Sequence, residues 1–513
     1  MDQQMLKLLL LVAYIAVVLV FFLSRRHAKG PKIPEPPRVP SSIPVPWINS
    51  VYGLLRRRMQ HFVDVGVKWR QPISTIALPG MNIYVVGSTK FMTSIQRQPE
   101  VLSARFFFGQ IIPGMVGVNK QSFDSFADIK GSGSNSGDSL LLEGIRATKR
   151  ILNSKSGSDM NFDAANIINC NFEHLGQEKF DQPVDLWEWI RRETVLAISE
   201  STYGKNNPFW DPEIRSAFWD FADDSIWLWL TSALPNRLVS KMLKGLNGRE
   251  KLVKALHEYF TRQGHERGSP IVSTHYSIFA KYIDHNEIAR FECANAMGSF
   301  ANTAPATFWT VWHIFSNPAL VADIRAQITA ITSTRQDEDG HVVHEISQKR
   351  LREETVLFSA LEETSRFRTS GMGVRMVLED TTVSSGEETF LLKKGGVVVI
   401  ANRALHTDKS TWGDDADTFV ASRFQQKAPP MAFRGFGQGA NACCGKKFAL
   451  HAISSFVAML VMRYDIEPVD GVWVEPGQDG RDTTSQVASP VGRPKVSMVP
   501  REDAGKVSWK FVP

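Results

Sequence analysis

One cysteine near the end of the chain sits where a thiolate could bind a metal. The run from Phe433 to Leu450 reads FRGFGQGANACCGKKFAL. In it Gly439 follows Phe436 by three positions, Cys443 comes four later and Gly445 two after that. Gly437 and Gly439 let the backbone approach a flat ligand and turn beneath it. The segment from Lys447 to Met462 has the apolar spacing of a helix. A thiolate at the start of such a helix gains from its free N–H groups and positive dipole end. It could serve as axial ligand to haem iron, where its electron donation favours O–O cleavage. The plainer alternative is a structural cysteine buried in a turn. Zinc or disulfide chemistry fits poorly, because adjacent cysteines do not easily share a tetrahedral ion and Cys170 and Cys293 lie at no ligand-like spacing.

Two further stretches carry reactive side chains. In LEETSRFR, Glu363 and Arg366 are spaced i, i+3 on a helix expected from Ser347 to Arg366, so they share a face; such a pair alone is usually a weak surface ion pair. Residues Asn286 to Phe315 read as one long helix, ended by Asn317-Pro318 and centred on AMGSFANTAPATFW. Pro305 removes a hydrogen bond there and predicts a kinked or opened helix, with Asn302, Thr303 and Thr307 beside the break.

Together these stretches resemble the cytochrome P-450 family, the haem-thiolate monooxygenases, in its microsomal form. The resemblance implies a mainly α fold with small β-sheets, holding haem b. It makes Cys443 the iron ligand, not Cys444, because Gly445 must fall two residues beyond the ligand, and it places Phe436, Gly439 and Gly445 around the cofactor. It implies that Glu363 and Arg366 are buried and joined by Arg423 from DTFVASRF, as a clamp on the haem-binding loop. Such charges are tolerable only if all are paired. By family position, Thr369, Ser370, Met372 and Gly373 in the extended stretch from Arg368 to Val377 are candidate substrate contacts. Arg375 is a candidate partner for a haem propionate, or else a surface arginine.

The sequence also departs from the family. The oxygen-side helix usually carries an acid–alcohol pair. Here those positions fall on Ala301 and Asn302, or on Asn302 and Thr303, so the carboxylate is missing. Asn302 and Thr303 are the candidate catalytic residues. Asn441 stands where an Arg or His is usual. The helix expected from Leu140 to Leu152, with Arg146, Lys149 and Arg150, lacks the family's Trp-x-x-x-Arg pair. The stretch ANTAPATFW is similar to the branch holding cholesterol 7α-hydroxylases, sterol 12α-hydroxylases and prostacyclin synthase, and a fungal secondary-metabolism member fits as well.

The elements that must position these residues begin with an apolar run, Leu8 to Leu23. As a helix its 16 residues would span about 24 Å, close to a bilayer core. Arg25, Arg26, His27 and Lys29 follow, which puts the bulk of the chain on the cytosolic side. Residues 1–24 are thus expected to be a single transmembrane anchor at the endoplasmic reticulum, a cleaved signal peptide being the rival. Residues 25–47 form a basic linker rich in proline, seven from Gly30 to Trp47, expected as an extended spacer. Residues 48–513 are the catalytic domain. Expected within it are strands Ile73–Leu78 and Asn82–Val86 around Pro79-Gly80, a short helix Thr89–Arg97, and a polar loop over 131–138. Phe390–Leu392 and Val397–Ile400 are expected to pair around Lys394-Gly395-Gly396, with a turn-rich tail of short strands from Glu467. The aromatics Phe218, Trp219, Phe221, Trp227 and Trp229 read as core packing, or by family position as the roof of an apolar channel. His406 is expected to be structural.

The chain has 513 residues, a net charge of +6 and four cysteines. That supports no nucleic-acid partner and no disulfide framework. The resemblance implies O2 insertion into an apolar sterol, terpenoid or other lipid-like molecule. Electrons would come from NADPH through cytochrome P-450 reductase, docked near Lys446 and Lys447, with cytochrome b5 as a second donor. The missing carboxylate keeps open an isomerase or dehydratase needing no O2, and beside it a haem-binding protein without turnover.

Overall fold

The computed structural model describes residues 33–40, 46–57, 60–69, 71–126, 139–177, 182–386, 388–479, 485–501 and 507–513. The expected anchor, most of the linker and the polar run 131–138 lie outside them. Among the described residues no helix is long and apolar enough to cross a membrane. They form a mainly helical structure with four small sheets.

The helices that matter for the site are α1 (Leu140–Leu152), α2 (Pro212–Leu230), α3 (His285–Phe315), α4 (Thr355–Arg368), α5 (Asn402–His406) and α6 (Lys446–Arg463). Helix α3 is the spine. The Asp284 side chain caps it by accepting from the Glu287 N–H, and Asn317 caps the following helix. From Phe300 onward every residue except Asn302 is buried, as suits a helix packed on all sides. The expected opening at Pro305 does not form. The helix runs unbroken through it, and the hydroxyls of Thr303, Thr307 and Thr310 donate to the carbonyls of Ser299, Thr303 and Ala306 (2.7, 2.8 and 2.7 Å). In α2, Phe218, Trp219 and Phe221 are buried in the main core, while Trp227 and Trp229 are half-buried.

The helix expected from Ser347 is in fact two, a single turn Gln348–Leu351 and then α4. The N–H groups of Glu353 and Glu354 bond to Arg350 and Leu351 carbonyls, three residues back, and these tight turns redirect the chain.

The largest sheet runs β1 (Ile73–Leu78), β2 (Met81–Val86), β6 (Val397–Ala401), β3 (Met372–Val377) and a two-residue edge, Leu102–Ser103. The β1–β2 hairpin forms as expected, with Gly80 at φ +73° in the turn. Strands β4 (Thr381–Ser385) and β5 (Glu388–Leu392) pair with each other instead of β5 with β6. The all-apolar β6, buried at every position, takes the sheet centre between β2 and β3. Residues 34–39 of the Pro-rich run do not stand clear of the domain. The Thr75 N–H donates to the Pro37 carbonyl (2.8 Å) and the Val39 N–H to the Thr75 carbonyl (2.9 Å), along the β1 edge.

Candidate functional site

The cysteine run folds as a tight loop ahead of α6. The Cys443 N–H donates to the Phe436 carbonyl (2.8 Å), and the Gly437 N–H to the Arg434 carbonyl (3.1 Å). Gly437 sits at φ +65°, and a Cβ there would lie 2.3 Å from the Asn441 carbonyl oxygen, so only glycine closes the loop. The Cys443 side chain is accessible and Cys444 half-buried. Cys443 nonetheless has enough protein around it that burial pushes its thiol up, with Cys444 adding to the rise. The N–H groups of Gly445 and Lys446 and the Lys446 charge pull the other way. An accessible sulfur ringed by donors at a helix start is suited to hold a cation. Lys446 is itself engaged: its ammonium meets Glu362 at 2.8 Å, leaving Lys447 as the exposed cation of the pair.

Behind the loop lies the clamp. Glu363 and Arg366, both fully buried, form a two-pronged pair, Nε to Oε2 and Nη2 to Oε1, each 2.7 Å. Arg366 also donates to the carbonyls of His406, Ala416 and Thr418. Arg423 completes the triad through Nε to Glu363 Oε1 at 3.1 Å and also reaches Asp415. Every charge is therefore paired and hydrogen-bonded, the condition for burying it.

His406 joins the clamp to the cysteine loop. Its Nδ1 lies 2.9 Å from the Arg366 carbonyl, and its Nε2 accepts from the Arg434 N–H at 2.9 Å. Those contacts require a neutral ring with the proton on Nδ1, and burial among arginines pulls its pKa down to about 3. The unfolded ring titrates near ~6.5. Below that pH the unfolded chain takes up a proton that the folded one refuses, so stability falls as pH drops from ~6.5 toward the folded value. We expect this residue to cost about 2 kcal/mol between neutrality and pH ~5. Thermal midpoints across pH should show a slope shallower by one proton in His406→Gln; identical slopes would remove the residue from the linkage.

Two buried arginines lie beside the cysteine loop. Arg375 on β3 and Arg434 are each 2 % exposed, and neither has a carboxylate partner among the described residues. Burial lowers both pKa values, Arg434 to about 10 with the Arg375 charge contributing, so both stay charged near neutrality. Arg434 Nε donates to Asn402 Oδ1 (3.1 Å) and Nη1 to Gln438 Oε1 (3.2 Å). The Asn441 amide, oriented with its oxygen toward Arg375, accepts from Nη1 (2.8 Å) and Nη2 (3.2 Å). Buried cations facing each other without an anion are costly. Two ligand carboxylates here would relieve that cost. Gly298 of α3 is exposed, and a Cβ built there meets nothing within 4 Å. The residues therefore fit a haem: an accessible sulfur, a pair of anionless arginines and open space on the oxygen-side helix.

The other expected residues divide. Asn302 is half-buried, and its Oδ1 accepts from the Gln486 N–H at 2.6 Å. Thr303 is buried with its hydroxyl committed to its own helix. Thr369 is fully buried, its hydroxyl donating to the Ser365 carbonyl. Ser370 has a buried hydroxyl without a partner among the described residues, and Met372 is half-buried at the start of β3. Sequence reasoning missed Arg434, Asn402 and Gln486. Arg434 lay in plain view inside the glycine-rich run; the other two carry no local signal.

A haem-thiolate fold organised around one cysteine loop is the class that these elements define. The sequence matches the family described as cytochrome P-450 over residues 176–495. It is 31% identical to the cytochrome P-450 monooxygenase nodJ of Hypoxylon pulicicidum over 93% of this chain and 92% of that protein. A cytochrome P-450 monooxygenase of Gibberella zeae is 24% identical over 97% of this chain and 95% of its own length. The 25-hydroxycholesterol 7-alpha-hydroxylase of Rattus norvegicus is 27% identical over 50% of this chain and 64% of its own. The chain belongs to the cytochrome P-450 family and is a cytochrome P-450 monooxygenase, which implies haem-thiolate chemistry.

Proposed function

We propose that the protein inserts one oxygen atom from O2 into an apolar small molecule, a sterol, terpenoid or similar lipid-like secondary metabolite. The observation that carries this reading is the accessible Cys443 at the start of α6, with the arginine pair at the cofactor edge and open space at Gly298. The hydroxycholesterol named for the rat relative agrees with the substrate class. Bound haem supplies the O2-activating and oxygen-transferring chemistry. Cys443 is its ligand, and the N–H groups of Gly445 and Lys446 hold the thiolate. Arg375, kept in place by Asn441, and Arg434 pair with the propionates. Phe436, Gly439 and Gly445 shape the loop against the ring. Asn302 offers an amide but no ionisable proton, so protons reach the pocket through water. Met372 and the backbone at Ser370 border the substrate, with the fully buried Thr369 supporting them from behind.

Electrons come from NADPH through cytochrome P-450 reductase, with Lys447 on the docking face and cytochrome b5 as a second donor. The apolar run and the basic residues after it support a single-pass anchor in the endoplasmic reticulum, with the catalytic domain toward the cytosol.

The test uses microsomes carrying the full chain, a reductase and NADPH, fed sterols and terpenoids under isotopically heavy O2. A product one heavy oxygen atom richer, lost when NADPH is omitted, is the expected result. A product formed without O2 or NADPH would overturn it in favour of the isomerase or dehydratase that the missing carboxylate suggests.

A further inference from the structure

Gln486 is where three other stretches of chain meet. Its N–H donates to Asn302 Oδ1 on α3 (2.6 Å). Its carbonyl accepts from the N–H groups of Ser370 (2.8 Å) and Gly371 (3.0 Å). Its side-chain Nε2 donates to the Met372 carbonyl (3.3 Å), and its Oε1 accepts from Asn402 Nδ2 (3.1 Å). Asn402 in turn accepts from Arg434 Nε (3.1 Å). A Cβ on Gly371 would fall 2.6 Å from the Gln486 amide carbon, so the glycine makes room for it. The next two residues add support: Val487 bridges Thr369, and the Ala488 carbonyl accepts from the Trp309 indole at 2.9 Å.

An amide donates at one end and accepts at the other. Glutamate would lose the donor facing Met372, and an aliphatic side chain would lose both. Every polar group of Gln486 is in use, on partners up to 184 residues away. We propose that Gln486 is a positioning residue: it locks the substrate-bordering wall, formed by Ser370–Met372 and Asn302, to Arg434 through the relay Asn402. A molecule that displaces this wall thereby shifts a guanidinium at the haem edge, and substrate occupancy is coupled to the haem's electrostatics. The inference rests on the placement of that edge at Arg375 and Arg434 proposed above.

The test compares the full-length haem protein with Gln486→Met, Asn402→Leu and the double variant, by haem reduction potential and by rate of haem loss to an excess of a haem-scavenging globin. A nearby positive charge favours the reduced state, so a loosened Arg434 should lower the potential in both single variants and speed haem loss by about tenfold. The double variant should show no further shift, because both substitutions break one path. Additive shifts, or a potential unchanged in Gln486→Met, would reduce the residue to a loop brace and overturn the coupling. Unaltered wild-type protein lacking the thiolate-type carbon monoxide band would instead overturn the placement of the haem itself.

Discussion

Cys443→Ser should abolish the strongly red-shifted band that reduced, carbon-monoxide-bound protein owes to its thiolate, and with it all monooxygenase turnover, while Cys444→Ser keeps both. The two sulfurs share the Gly445 N–H but differ in exposure and in the lysine nearest to them. Cys443 is accessible and answers to the N–H groups of Gly445 and Lys446 and the Lys446 charge. Cys444 is half-buried and feels the Lys149 charge from α1. Serine is nearly isosteric but is no thiolate, so the loop should fold while the electron-donating ligand disappears. The opposite pattern, with Cys444 essential and Cys443 dispensable, would shift the ligand by one residue.

Glu363→Ala has the largest expected effect on the protein itself. It strands Arg366, which is fully buried, and takes one carboxylate from Arg423. Breaking a buried pair from one side costs roughly 3–5 kcal/mol, a large part of the ~5–15 kcal/mol that holds a domain folded. Arg366 also gathers the carbonyls of His406, Ala416 and Thr418, so the loss spreads to the segments that carry the cysteine loop. The expected product is haem-free, poorly folded protein. The surface pair Lys90–Glu388, whose side chains are about half exposed, supplies the control: Glu388→Ala should cost less than about 1 kcal/mol and leave haem content unchanged. Normal haem in Glu363→Ala would show that the network is not the clamp.

The chemistry was legible in the sequence wherever it is written in local spacing. The glycines and cysteine of the loop lie within a dozen residues, and Glu363 and Arg366 are one helical turn apart, so the tight turn and the pairing could be read along the line. The clamp's third member, Arg423, could be named only by resemblance. What stayed hidden is made by distant residues of ordinary type. Gln486 and Asn302 are 184 positions apart, and an asparagine at 402 announces nothing until the arginine that it orients is seen beside it. Strand pairing failed for the same reason: Val397–Ile400 reads equally well as half of a hairpin or as a central strand, and only the partners β2 and β3 decide. The opening expected at Pro305 is absent because the helix is buried on nearly all sides from Phe300 onward, and the local cost of a proline was weighed without that packing.

The seating of residues 34–39 along β1 bears on how the protein can be handled. Cutting the chain at Trp47, where the proline-rich stretch ends, would strip the N–H of Thr75 and its carbonyl of their partners and bare the outer edge of the five-stranded sheet. A bare sheet edge invites pairing with another molecule. A soluble form should therefore begin before Ile33, so that the strap stays with the sheet that it closes.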